Sequence, residues 1–116
     1  MIPGMILRSN ATGFNPTDGG FGVWYRDLVA NYTTLVDTST LSSILNSPHV
    51  VVVDCRFELA NPAAGEAAYQ QEHIPGAVYA HLDRDLSGPK TGSNGRHPLP
   101  SPDVLRATLG RLGIFL

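Results

Sequence analysis

The run Val50–Val53, set in the stretch HVVVVDCRF from His49 to Phe57, limits the folds open to this chain more than any other feature. β-Branched side chains are stiff at χ1 and favour extended backbone. Successive residues of a strand face opposite sides, so an unbroken valine run needs apolar cover on both. A strand with one wet face would alternate instead. The run therefore predicts a strand inside a parallel sheet flanked by helices, an α/β architecture.

The flanking text supplies such helices. Leu35–Asp37 predicts a brief extended segment, after which Asp37 or Thr38 can cap a short helix by accepting from amides of its first turn. Leu41, Ile44 and Leu45 fall on one helical face, and Asn46 and Pro48 end it. Beyond the valines, Asn61 and Pro62 predict a second helix start, with a narrow apolar face of Ala64, Ala67, Ala68 and Tyr69. His73-Ile74-Pro75-Gly76 breaks that helix: Pro75 fixes its own φ and pushes Ile74 towards extended geometry, and Gly76 permits a turn that a side chain would forbid. Ala77–Leu82 predicts a second, shorter strand.

Asp83–Pro100 is rich in Gly, Pro and Ser and has no period, the mark of a long loop. Ser101-Pro102-Asp103 opens another helix with a cap, a first-position proline and a first-turn acid. Its expected buried stripe is Val104, Leu105, Leu109 and Leu112, and Gly113 is its stop. Ile114-Phe115-Leu116 begins a further core strand. Strand and helix alternate throughout, so the crossovers should be right-handed. Residues 1–32 read as a loosely ordered leader in which Trp24, Tyr25, Leu28 and Val29 form one docked helical turn, and residues 33–116 as one partial domain.

Composition narrows the function. A net charge of −2 without blocks of like charge predicts no nucleic-acid partner and no membrane surface as partner. No apolar run is long enough to span a bilayer. The single cysteine cannot form an internal disulfide, and MIPGMILRSN makes a poor secretory signal, so a cytoplasmic setting is expected. His73, His81 and His97 lack a ligand spacing, so no metal is expected, and no phosphate loop calls for a cofactor.

Four side chains are candidates for contact with a substrate. Asp54 and Arg56, two apart at a strand end, lie on the same side of an extended chain. They can form an ion pair that pins the following loop, or leave Arg56 to steer an anion. His73, at a helix end, can cap carbonyls or face a cleft. Arg96 and His97 stand among glycines in the long loop, beside Lys90, where an anion could be held. Cys55 is the nucleophile candidate of the chain. A reactive thiol needs helix amides, a cation or an amide nest; Arg-Phe-Glu-Leu-Ala-Asn-Pro follows Cys55, with Glu58 opposing a thiolate and no Gly or Ser to cradle one. A packed, inert thiol is the expectation, with reactivity helped by Arg56 as the alternative.

YQQEHIPGA, Tyr69 to Ala77, resembles the first signature of the rhodanese family of sulfurtransferases: an aromatic, three residues, then His-Ile-Pro-Gly-Ala. VVVDCRF before it resembles the strand ending in Asp-x-Arg that precedes the signature. NGRHPLPSPDVLRATLGRLGI after it is similar to the segment that follows in two-domain thiosulfate and 3-mercaptopyruvate sulfurtransferases. Ala80 departs from the larger aliphatic or Phe usual there, a packing change. The resemblance implies a rhodanese-like parallel sheet flanked by helices, here incomplete because the C-terminal strands are missing.

It also implies the N-terminal part of an enzyme moving sulfur from thiosulfate or 3-mercaptopyruvate to a thiophilic acceptor such as cyanide. The implied partners are a small anionic sulfur donor and a C-terminal rhodanese domain. The family's persulfide cysteine opens a loop of Cys, four residues, then Arg, which Cys55 does not match, so the chain alone is expected to be inactive. The alternative is a catalytically silent rhodanese-like module used for binding or regulation.

Overall fold

The computed structural model describes residues 34–115 and the backbone of residues 4–8. The elements run β1 (Gly4–Arg8), α1 (Thr38–Ile44), β2 (Val50–Asp54), α2 (Ala64–Gln71), β3 (Val78–Tyr79), α3 (Leu82–Asp85) and α4 (Pro102–Arg111). The strands form one sheet in the order β1-β2-β3. β2 and β3 are parallel, with Val53 opposite Val78 and Asp54 opposite Tyr79. β1 lies antiparallel on the other edge of β2, from Gly4 opposite Asp54 to Arg8 opposite Val50. The architecture is therefore α/β, with a parallel pair joined by a helix and an antiparallel strand where sequence reading placed only leader. The expected turn at Trp24, Tyr25, Leu28 and Val29 lies outside the described residues.

The valine run is covered on both faces, as its lack of alternation requires. Val52 joins Leu41 and Ala77 in one buried cluster, with Val50, Ile44, Leu45 and Tyr69 packed on it. Val53 joins Ala80, Leu112 and Ile114 in the other, with Val51, Leu86 and Leu109 packed on it. Helices α1 and α2 thus cover one face and α4 the other. Removing one such valine from water stabilises by about 1.5–3 kcal/mol. Ala80, the departure from the family signature, is 1% exposed in the second cluster.

The helix ends follow their local chemistry. Asp37 Oδ1 caps α1, accepting from the Thr40 N–H at 2.7 Å and the Ser39 hydroxyl at 2.9 Å. Those bonds, the Thr40 amide first, hold its carboxyl below the usual carboxylate range. Ser101 Oγ accepts from the Val104 N–H at 3.4 Å, with Pro102 at the head of α4. At its other end the Gly113 N–H donates to Gly110 O and the Ile114 N–H to Leu109 O, with Gly113 at φ +88. This is a Schellman stop, and Leu109 packs on the apolar cluster that holds Ile114.

Four expectations are corrected. Helix α2 starts at Ala64 with Ala63 as its cap and no side-chain cap bond, because Asn61 and Pro62 form the preceding turn and the Asn61 carbonyl accepts from Ala64. Its Ala67 is exposed; the helix packs instead through Gly65, against the Arg56 carbonyl. In α4, Val104 is 55% exposed and Thr108 is buried in its place. Ile114 is buried but enters no strand, since its amide is committed to Leu109.

Candidate functional site

The end of β2 sorts its residues by parity. Extended geometry carries Cys55 onto the Val51 and Val53 side, where it is half-buried against the Val53, Ala80, Leu112 and Ile114 cluster. Asp54 and Arg56 take the other side. The Arg56 guanidinium grips the Asp54 carboxylate, with Nη2 at 2.8 Å from Oδ2 and Nε at 3.1 Å from Oδ1. Asp54 Oδ1 also accepts from the Arg56 N–H at 3.0 Å. The pairing, first through the Asp54 hydrogen bond, raises the guanidinium pKa further above its ordinary value. Arg56 Nη2 donates in addition to the Glu72 carbonyl at 2.7 Å. The cation beside Cys55 is thereby spent on a carboxylate and a helix end.

His73 closes that helix end. Its Nδ1 lies 2.7 Å from the Tyr69 carbonyl, so Nδ1 carries the proton, and its ring stacks on Tyr69 with centroids 4.0 Å apart. Tyr69 in turn donates its hydroxyl to Ala77 O at 2.7 Å. Gly76, at φ +78, makes the turn into β3. The HIPGA segment is thus a connector fastened at both ends, and the exposed face of His73 looks outward.

A separate cleft of about 360 Å³ opens beyond the carboxyl ends of both parallel strands. Phe57, Leu59 and Pro62 line it from the segment after β2, and Asp83, Lys90, Arg96 and His97 from the segment after β3. Crevices outside the carboxyl ends of strands are where open α/β sheets bind ligands. Of the four candidate side chains, Arg96 and His97 line this cleft. Arg56 and His73 do not line it; they meet at the end of α2. The sequence reading does not single out Phe57, Leu59, Pro62 or Asp83 as site residues, although the position of Phe57 just past a strand end is a usable signal.

The cleft's polar floor is incomplete. His97 Nδ1 lies 3.1 Å from Asp83 Oδ1, within ion-pair reach when the ring is protonated. The two groups are out of line for a hydrogen bond, however. Asp83 Oδ1 and both His97 ring nitrogens are shielded from solvent and have no hydrogen-bond partner among the described residues. Phe57 stands edge-on between two imidazoles, 5.4 Å from the His81 centroid and 5.9 Å from that of His97.

Helix α3 frames this floor, where the sequence reading ran a strand to Leu82 and left Asp83 onward as loop; the strand stops at Tyr79 because His81 turns to cap the helix. His81 caps it: Nδ1 accepts from the Asp83 and Arg84 amides at 3.2 and 3.3 Å, while Nε2–H donates to Pro62 O at 3.0 Å. Asp85 Oδ2 accepts from the His81 N–H at 2.8 Å, and Oδ1 meets Arg111 Nη2 at 2.7 Å. Burial alone would raise the Asp85 pKa, but the His81 amide and the Arg111 and Arg84 guanidiniums outweigh it and leave the carboxyl below its usual range. Arg84 also holds Glu66 through two bonds of 3.1 and 3.2 Å, tying α3 to α2 and depressing the Glu66 pKa. Among the described residues no helix is long and apolar enough to cross a membrane.

Residues 37–111 match the rhodanese-like domain. The chain is 46% identical over 81 residues to a Pseudomonas aeruginosa protein named "Probable 3-mercaptopyruvate sulfurtransferase". It is 41% identical over 81 residues to "Putative thiosulfate sulfurtransferase SseB" of Mycobacterium tuberculosis, in two strains. Each alignment takes in 69% of this chain and 28% of the relative, so the chain spans under a third of the length of the curated relatives it matches. No solved structure matches at a significant level.

Proposed function

The chain belongs to the rhodanese-like domain family, and from that membership we propose that it is the N-terminal rhodanese-like segment of a sulfurtransferase. The whole protein would take sulfane sulfur from thiosulfate or 3-mercaptopyruvate to a thiophilic acceptor such as cyanide. A cysteine thiolate attacks the outer sulfur of thiosulfate, the S–S bond breaks with its electron pair leaving on sulfite, and the enzyme holds a persulfide. Cyanide then attacks the terminal sulfur, giving thiocyanate and returning the thiolate.

In this reading the thiolate comes from a second rhodanese domain, and the present residues supply scaffold and one wall of the substrate cleft in a cytoplasmic protein. The observation that carries it is the cleft beyond the carboxyl ends of β2 and β3, with Arg96 and Lys90 at its rim. Cys55 points away from that cleft's lining and into the apolar cluster. Arg56 and His73 act by positioning: one guanidinium and one imidazole fix the end of α2 beside β2.

The test is thiocyanate formation from thiosulfate and cyanide. The isolated chain should show none, and its Cys55→Ser variant should be indistinguishable from it. The open reading frame extended to the length of the relatives should be active, and Arg96→Gln in it should raise KM for the sulfur donor. Activity of the isolated chain that disappears in Cys55→Ser would overturn the assignment. An inactive but well-folded extended protein would favour a silent binding module.

A further inference from the structure

We propose that Asn94 is a site of spontaneous covalent modification: its amide cyclises onto the backbone nitrogen of Gly95 and reopens as a carboxylate, and this conversion releases the glycine-rich loop. The first argument is sequence. Every asparagine holds an electrophilic amide carbon within reach of the next residue's backbone nitrogen. Asn15 and Asn61 precede proline, whose nitrogen has no hydrogen to give up. Asn10, Asn31 and Asn46 precede residues whose Cβ crowds the attacking nitrogen. Asn94 alone precedes glycine, which has no Cβ and the widest choice of backbone angles.

The second argument is position. Asn94 and Gly95 are both exposed, so water reaches the amide and its product. Gly95 sits at φ +88, and beyond its chain neighbours no heavy atom lies within 4 Å of the place a Cβ would take. The third argument is the bonding of the amide. Oδ1 accepts from the Thr91 N–H at 2.9 Å, and Nδ2 donates to Pro89 O at 3.0 Å. The first bond draws electron density from the carbon to be attacked. The second holds the group that must leave. Both bonds are exposed, and each local opening of the loop frees the side chain to turn towards Gly95.

The step balances with water as its one co-reactant. The Gly95 nitrogen gives up its proton and bonds to Asn94 Cγ, the Cγ–Nδ2 bond breaks, and ammonia leaves with that proton. Water then opens the cyclic imide at either carbonyl, giving aspartate or isoaspartate; nothing is oxidised or reduced. The product changes the loop. The Gly88 N–H donates to Pro98 O at 2.7 Å and closes the base of residues 88–98, while Asn94 braces the interior. An ionised carboxylate still accepts from the Thr91 N–H but has no hydrogen for Pro89 O, so two oxygens face each other and the brace is lost. Isoaspartate lengthens the backbone as well. The new negative charge rides on the loop that brings Lys90 and Arg96 to the cleft and attracts both cations. Only a resulting effect on substrate would rest on the cleft reading above.

The experiment holds the full 116-residue chain in mildly alkaline buffer, samples it over days, and follows tryptic peptides by mass spectrometry. Cleavage after Lys90 and Arg96 frees peptide 91–96, in which Asn94 is the sole asparagine. That peptide should gain the mass of an amide-to-acid exchange several-fold faster than peptide 27–56, with Asn31 and Asn46, or peptide 57–84, with Asn61. It should also separate into aspartyl and isoaspartyl forms. Gly95→Ala should slow the gain several-fold. Because a positive φ strains alanine, synthetic peptide 91–96 with and without that substitution repeats the comparison free of the fold. In Asn94→Asp the backbone heteronuclear NOEs of residues 90–95 should fall while those of α2 and α4 stay at the parent's values. A gain at Asn94 no faster than in the other peptides overturns the proposal, as does an Asn94→Asp loop as ordered as the parent's. None of these measurements involves sulfur transfer, so their failure and that of the sulfurtransferase reading are told apart by the thiocyanate assay.

Discussion

Gly65 is held where a side chain has no room. A Cβ there would overlap the Arg56 carbonyl, and the Tyr79 hydroxyl that donates to this carbonyl lies 2.8 Å from the same point. Backbone and a bonded phenol cannot yield as a flexible tail does. Gly65→Ala is therefore expected to destabilise by about 1–3 kcal/mol, read as a lower urea midpoint. Exposed Ala67→Ser should stay within about 0.5 kcal/mol. The helical spacing of alanines made Ala67 look like the contact residue; only the approach of the Arg56 carbonyl, just past β2, shows that the smallest residue is the one that touches.

Asp85 gives a pH prediction. Its folded pKa lies below the ordinary aspartate value of 3.8, so its stabilising effect is complete above that value and is lost as pH falls through the folded pKa. Asp85→Asn should lower stability at pH 7 by about 1–2 kcal/mol. The gap between parent and variant should close on acidification below about pH 4. Urea melts at neutral and acid pH check it, and a gap that does not change would contradict the assignment.

At the scale of elements, helix ends were more legible than helix faces. Asp37, Ser101-Pro102 and Gly113 act through bonds within a few residues, so their roles can be read without knowing the fold. The Schellman stop predicts that Gly113→Ala costs about 1–2 kcal/mol through backbone strain alone. The nearest atom to an added Cβ there is Val51 Cγ2 at 3.9 Å, an ordinary contact. A thermal melt of Gly113→Ala beside the parent measures this. Helix α3 escaped the sequence reading because its cap is an imidazole, an uncommon N-cap, although Asp83 and Asp85 in its first turn were a visible sign. The pairing of Gly4–Arg8 with β2 was equally hidden, since it depends on contacts far apart in sequence.

At the scale of the whole molecule, the core formed by the described residues is thin. Among the described residues only Val53 among the larger side chains is under 2% exposed, while Leu35, Leu59, Leu99, Val104 and Phe115 stand open to solvent. The isolated chain should bind ANS in buffer and melt over a broad range, as fluorescence titration and calorimetry would show; a sharp cooperative transition with slow amide exchange is the contrary result. The α/β class could be read from the valine run, whose lack of alternation demands cover on both faces. The meeting of Phe57 with Asp83 and His97 could not, because it arises where two strand ends converge. One consequence follows from Arg56, whose guanidinium is shared by the Asp54 carboxylate and the Glu72 carbonyl. Sheet and connector are yoked there, so a tug that lifts the tip of β2 must drag the histidine of HIPGA with it.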